Sequence, residues 1–399
     1  MTPKVALIIE SSRAYGRGLL SGIARYSSLH GLWMFYRQSQ FYLNPESLKK
    51  MLSHIKDWGA TGIIVREQEG LDEILALGLP TIVSPLTARS IPGVPSIYTD
   101  CSSIARLGAE YFLKNGFHHF AFCGYHHKPP FAWSEDRAKV FNEVITQAGF
   151  KAHIYNPPKS RMPLAWEREQ LIMADWLKSL PKPIGLMTCA DDRSQNVIDA
   201  CRIANVNVPQ EVAVLGTDND KIICELSYPP LSSIALNVEK AGYEAAELLD
   251  KGMKGQKMEA EMLLVRPLHV VTRQSTDVMA IGDKEVAEAV RYIRKNVKNM
   301  IQVNDLAAAV GVSRRSLERK FNRILDCSVY HEIRRMRVEQ ISYFLAETNH
   351  SILGIARTFG FTGAEHISRY FRREKGMSPQ AYRKQYGLPT ILPEIETSI

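Results

Sequence analysis

The sequence predicts an α/β body built on parallel sheets, followed by an all-helical domain. Two observations carry this. Short apolar runs alternate with amphipathic stretches as far as residue 275, and beyond Lys284 the strand pattern stops. A third bears on the helical part: it contains the same short device twice. At 399 residues the chain is long for one core, so more than one domain is expected.

Taken in order, "KVALIIES", "TGIIVRE", "PTIVSP", "HFAFCGY", "PIGLMTCAD" and "EVAVLGTDND" are β-like runs that end in polar or glycine positions. Between them, "RGLLSGIARYSSL", "SSIARLGAEYFLKNG" and "RSQNVIDACRIANV" have helical periodicity. Strand, helix, strand implies a parallel sheet covered on both faces. Such sheets bind ligands beyond the C-terminal ends of their strands, so polar residues there carry extra weight. The boundaries read 1–275 for this body, 276–284 for a linker, 285–388 for the helical domain and 389–399 for a tail.

Composition is that of a water-soluble globular chain, 45% hydrophobic and 23% charged, with a mean hydropathy of −0.17. The opening "MTPKVALIIESS" is too short for a membrane span and has no signal-peptide cleavage pattern. Six cysteines show no CxxC pair and no metal spacing with histidine, which fits reduced thiols in the cytoplasm. No metal or cofactor is expected. The net charge of +8 is uneven: from Ile281 onward there are 20 Lys and Arg against 13 Asp and Glu, and before it 30 against 29. A neutral body with a basic C-terminal domain points to an acidic partner for that domain.

The repeated device is "VNDLAAAVGVSRRSLERKFNRIL" and then "SILGIARTFGFTGAEHISRYFRREKG". Each has a short helix, a glycine-containing turn and a basic amphipathic helix, the order of a helix-turn-helix. The seams would be Leu306, Val310, Leu317 and Phe321 in the first, and Ile352, Ile355, Ala356, Phe359, Ile367 and Phe371 in the second. Phe361 and Tyr370 belong with that core, and Arg337 between the devices is as suited to a local tie as to DNA.

Together with "RMRVEQISYFLAET" and the closing "FRREKGMSPQAYRK", these motifs resemble the AraC/XylS family of transcription regulators, over about 285–388. The resemblance implies double-stranded DNA as partner. It places the groove-reading helices on Ser313–Arg323 and Gly363–Arg373. Arg315, Ser316, Arg319, Ala364, Glu365, His366 and Arg369 would face base edges, with Glu318 able to accept from a cytosine amine. Arg314, Lys320, Arg372 and Arg373 would meet phosphates.

In the body, four strand-end segments mark a pocket: "ESSRAYGRG" with Tyr15 and Arg17, "FAWSEDRAKVF" with Trp133, Glu135 and Arg137, "CADDRSQ" with Asp191, and "GTDND" with Asp218. Planar polar groups that fork onto adjacent hydroxyls, beside an aromatic face, suit a sugar. The plainer roles are helix capping, which fits Asp192 and Asp220, and packing for Trp133. The stretches "YTDCSSIARLGAEYFLKNGFHHFAFCGY", "TCADDRSQNVIDACRIANVNVPQEVAVLGTDND" and "PPLSSIALNVEKAGYEAAELL" resemble the LacI-type, periplasmic-binding-protein-like effector domain, over about 4–275. That resemblance implies two α/β lobes hinged around a small sugar, and the joining of such a body to an AraC-type domain points to a xylose-like one. The resemblance makes Arg137, Asp191 and Asp218 second-lobe ligands, and Tyr15, Arg17 and Asp100 first-lobe contributors.

The combined expectation is a sugar-responsive, sequence-specific regulator, with no membrane role. A homodimer is expected, because paired readers gain effective concentration on repeated sites, and the resemblance implies an activator that meets RNA polymerase. Two alternatives stay open: a different sugar, or a body that serves only for dimerisation. An enzyme is disfavoured, because GxGxxG, P-loop, GxSxG and metal-spaced histidines are all missing.

Overall fold

Runs such as Val5–Ile8 and Ile184–Met187 are buried at every position, which requires cover on both faces of the sheet. The computed structural model describes residues 2–37, 48–87, 91–125, 131–156, 166–258, 262–277 and 283–387. The chain opens with β1 (Lys4–Ile8), α1 (Ala14–His30), β2 (Met34–Arg37), α2 (Leu48–Asp57), β3 (Gly62–Arg66) and α3 (Leu71–Leu75). Next come β4 (Thr81–Ser84), β5 (Ser96–Thr99), α4 (Cys101–Lys114), β6 (Phe120–Cys123), α5 (Ala132–Gln147) and β7 (Ala152–Ile154). They are followed by α6 (Trp166–Ser179), β8 (Ile184–Thr188), α7 (Asp191–Ala204), β9 (Val212–Thr217) and α8 (Lys221–Leu226). The body closes with β10 (Ser232–Leu236), α9 (Val238–Met253), β11 (Met262–Val265) and β12 (Pro267–Val271).

The strands form two sheets, β11-β5-β4-β3-β1-β2 and β12-β10-β9-β8-β6-β7. All the described pairings are parallel except β10 with β12. Each sheet is the centre of one lobe. In the first lobe, α1 and α9 cover one face through Leu19, Ile23 and Leu249, and α2 and α3 cover the other through Met51, Ile55 and Ile74. Helices α1 and α9 touch backbone to backbone at Gly22 and Gly242, where any side chain would collide with Glu239 or Leu19.

The chain crosses between lobes three times, and the crossings are tied together. Asp100 N–H donates to the Val265 carbonyl at 2.8 Å, and Asn237 N–H to the Arg266 carbonyl at 3.0 Å. The Asn237 side chain in turn accepts from Arg266 N–H at 2.6 Å. This cluster is the hinge.

The helical domain comprises α10 (Lys284–Lys295), α11 (Val303–Ala309), α12 (Arg314–Leu325), α13 (Val329–Glu347), α14 (Ile352–Thr358), α15 (Ala364–Lys375) and α16 (Pro379–Tyr386). Side-chain caps from Asp283, Ser313, Ser328, Ser351 and Ser378 start five of these helices, each contributing about 1 kcal/mol. Gly311 and Gly360 take matching left-handed conformations, φ 71° and 70°, and turn the chain between the paired helices. The expected seams form two cores. One holds Leu306, Leu317 and Phe321, with Val310 at its edge; the other holds Ile355, Ala356, Phe359, Ile367 and Phe371, with Ile352, Phe361 and Tyr370 at its edge.

Arg337 on α13 joins the two units. Its guanidinium, 2% exposed, donates to the carbonyls of Val297 (3.2 Å), Asn299 and Phe359 (2.5 Å). It is a structural tie. No helix among the described residues is long and apolar enough to cross a membrane. The 389–399 tail lies outside the described residues.

Candidate effector cleft and nucleic-acid interface

Strand ends from both lobes converge on one cleft. From the first lobe, Tyr15 in the first turn of α1 places its hydroxyl 3.2 Å from Ser84 Oγ at the end of β4. Arg66 ends β3, lays its guanidinium 4.3 Å above the Tyr15 ring and donates to Ser84 Oγ at 3.3 Å. From the second lobe come Trp133 and Arg137 on α5 and Asp218 just after β9. Arg137 is buried, donates to the Cys189 carbonyl and stands 5.2 Å from the Trp133 ring. Asp218 adopts φ 103°, outside the range that side chains favour. Burial raises its carboxyl to about 6, against the opposing pull of Arg137 and Arg66.

Two donors in this group are buried and unmatched among the described residues: Trp133 Nε1 and Arg137 Nε. Orphaned buried donors are uncommon, because leaving one unmade costs about 1–3 kcal/mol. Beside a carboxylate with no protein donor among the described residues, they form a polar set that a hydroxylated ligand would complete. Trp133 also packs, stacked on Phe131 at 5.6 Å.

Several expected ligand residues have other duties. Asp191 is 2% exposed; it accepts from Ser233 Oγ at 2.6 Å and Asp220 N–H at 2.7 Å, tying α7 to the ends of β9 and β10. Burial and the nearby Asp218 push its carboxyl well up. Asp100 caps α4 through Ser103. Glu135 is exposed on the first turn of α5, around the helix from Arg137.

Arg17 pairs with Asp220 across the lobes at 2.6 Å, and Asp220 also accepts from Ala14 N–H at 2.9 Å while capping α8. Asp192, expected to cap α7, instead meets Arg13 at 3.0 Å. These two pairs close the cleft rim. Sequence reasoning missed Arg66 and Ser84. The available signal was a lone cation closing the apolar run "GIIV" at a strand's C-terminal end.

In the helical domain the basic side chains fall into two classes. Arg334 pairs with Glu374, Arg335 with Glu332 (2.5 Å) and Glu339 (2.6 Å), and Arg337 with backbone carbonyls. Arg315, Arg319, Arg369, Arg372 and Arg373 are exposed, with no carboxylate partner among the described residues. These five lie on α12 and α15; Arg291 on α10 and Arg357 on α14 are likewise exposed with no carboxylate partner among the described residues. On α12, a concave surface is lined by Ser313, Arg315, Ser316, Arg319 and Asn322, of which Asn322 was not anticipated. On α15, Glu365 and His366 are exposed and Ala364 half-buried; Thr362 Oγ1 holds His366 Nδ1 at 2.5 Å, leaving Nε2 free.

Lys320, expected at a phosphate, is instead held by Asp283 (2.8 Å) and Glu285 (2.9 Å), because α10 packs beside α12. Arg314 and Glu318 approach each other within their own helix at 4.0 Å, so Glu318 is turned toward a cation.

Residues 109–276 match the periplasmic binding protein-like domain family, and residues 306–385 match a helix-turn-helix domain family. Along 95% of its length the chain is 26% identical to the xylose operon regulatory protein of Escherichia coli, covering 96% of that protein. It is 27% identical to the protein of the same name from Haemophilus influenzae, over 95% of this chain and 98% of that one. A solved structure of a xylose-binding transcription activator superposes with a TM-score of 0.61 at 25% identity, covering 97% of this chain and 99% of that one. The two curated relatives are named as operon regulatory proteins, and the solved structure as a transcription activator. The chain is a DNA-binding transcription regulator that joins a periplasmic-binding-protein-like domain to an AraC-type helix-turn-helix domain.

Proposed function

We propose that this regulator senses a small sugar, a xylose-like pentose, and couples its capture to promoter binding in the cytoplasm. The observation that carries the sensing role is the polar set of Trp133 Nε1, Arg137 Nε and Asp218 between the lobes. Two donors and one acceptor suit adjacent ring hydroxyls, and the indole suits the C–H face of the ring. Arg66, Tyr15 and Ser84 supply the opposing wall. The names of the full-length relatives support xylose as the first sugar to test.

On DNA, α12 and α15 enter successive stretches of major groove. Arg315, Ser316, Arg319, His366 and Arg369 face the bases, and Arg314, Arg372 and Arg373 face the backbone. The sugar shifts the population of closed molecules, and closure sets the geometry in which the reading helices engage. The active form is a homodimer. Ile203, Ile222, Leu226 and Tyr228 are exposed on neighbouring elements of the second lobe, an apolar surface suited to a second copy. As an activator, the dimer would meet RNA polymerase beside the promoter.

Calorimetry of the full chain with D-xylose, L-arabinose, D-ribose and D-glucose tests the sensing role. Binding of one pentose over the others is expected. Failure of every sugar would leave the body as a dimerisation scaffold, which sedimentation of wild type and Leu226→Glu would then examine.

A further inference from the structure

The helical domain rests on the hinge and bridges both lobes. On the second-lobe side, β12 packs against α13: Leu268 enters the second helix-turn-helix core, and the His269 ring stands edge-on to Tyr343 at 5.1 Å. Arg294 on α10 adds a 2.7 Å hydrogen bond to Asn115 at the end of α4. On the first-lobe side, Lys240 in the first turn of α9 donates to the carbonyls of Lys384 (2.7 Å) and Gln385 (2.5 Å). Those carbonyls lie in the last turn of α16, where a cation complements both the unpaired acceptors and the helix dipole.

The placement of these contacts matters as much as their chemistry. Lys240 is three residues beyond the hinge residue Asn237, and Leu268 is two beyond Arg266. A rotation of one lobe against the other therefore changes the spacing between the two grips on the helical domain. A cavity of about 360 Å³ lies beneath, with Tyr386 and Ala346 on one wall and Arg17, Asp218 and Asp220 on another. It leaves room for α16 to shift, and it has the cross-lobe pair as part of its lining. Lys240 itself is mostly buried, which lowers its pKa, and Glu244 at 3.8 Å offsets this in part.

We propose that Lys240 is the positioning residue through which first-lobe movement reaches the DNA-binding domain, by capping α16 only when the lobes are closed. This rests on the sugar-sensing reading. In the conformation described, Arg13–Asp192 and Arg17–Asp220 both join the lobes. Sugar binding is therefore coupled to a more firmly held α16, and removal of the ammonium uncouples them while sparing the cleft.

The test is hydrogen exchange of residues 379–387 in the full chain, with and without whichever pentose calorimetry shows to bind, D-xylose first. In the wild type the sugar is expected to slow exchange in the last turn of α16 about fivefold or more, the usual scale of such couplings. Lys240→Met should still bind sugar, up to about fivefold more weakly because the coupling is reciprocal, but at saturating sugar lose this slowing, and Lys240→Arg, which keeps the donors, should restore both. A wild type that binds sugar without slowing α16, or a Lys240→Met protein that slows as the wild type does, overturns the proposal. If no sugar binds in calorimetry, the sensing reading itself fails, before the exchange experiment begins.

Discussion

Arg337 and Arg369 lie on neighbouring helices of one small domain, yet their surroundings are opposite. Arg337 is enclosed and satisfied by three carbonyls, whereas Arg369 stands in solvent with no acid within reach among the described residues. The same guanidinium serves as a structural tie in one place and as a free fork in the other. What separates them is whether the fold supplies their acceptors, so the cluster of arginines left without acceptors on α12 and α15 marks the surface suited to an anionic partner.

The contrast can be tested in order of expected effect. Arg337→Ala should be the most damaging, since it strands several buried carbonyls and unlinks the two cores. A loss of about 3 kcal/mol or more is expected in chemical denaturation. A small loss, with DNA binding intact, would show that the tie is dispensable.

Asp218→Asn comes next, with sugar affinity falling about tenfold or more through loss of a charged acceptor. The wild type should also lose affinity as pH falls through about 6, because the carboxyl of Asp218 is raised to that value and only its ionised form accepts two donors. Calorimetry at pH 5 and pH 7.5 reads both effects, and the Asn variant should show a flat profile.

Arg369→Ala should weaken specific DNA by about 1–3 kcal/mol while sparing random DNA, and Arg372→Ala should weaken both alike and lower the salt slope by about one. Equal loss on both DNAs for Arg369 in a salt-controlled shift assay would reclassify it as a phosphate contact. The smallest effect belongs to Lys320→Met. Its ammonium already faces Asp283 and Glu285, so DNA affinity should not change in the same assay.

How much of this was legible in the sequence depended on range. The paired helices, their glycine turns and their seams follow from local periodicity, and Leu306, Leu317, Phe321, Ile355 and Phe371 are buried where spacing placed them. Parallel sheets were likewise readable from unbroken apolar runs. Partner choice was not. Nothing near "CADDRSQ" tells that Asp191 will turn inward to Ser233, forty-two residues on, while its neighbour Asp192 reaches across the cleft to Arg13. Lys320 looks like every other cation on its helix until α10 brings two acids alongside. Arg66 was overlooked because a lone arginine at a strand end gains its meaning only when the Tyr15 ring arrives beneath it.

The tie at Arg337 has a consequence for the promoter. By anchoring residues 297–299 to Phe359, it makes the two reading heads a single rigid gauge. Such a gauge fits DNA only where its two target segments share one rotational phase. One extra base pair between them turns one segment by about 35°, and the mismatch must then be absorbed by twisting or bending the duplex. The spacing between the segments is thus part of what this regulator reads, although no side chain touches the bases that set it.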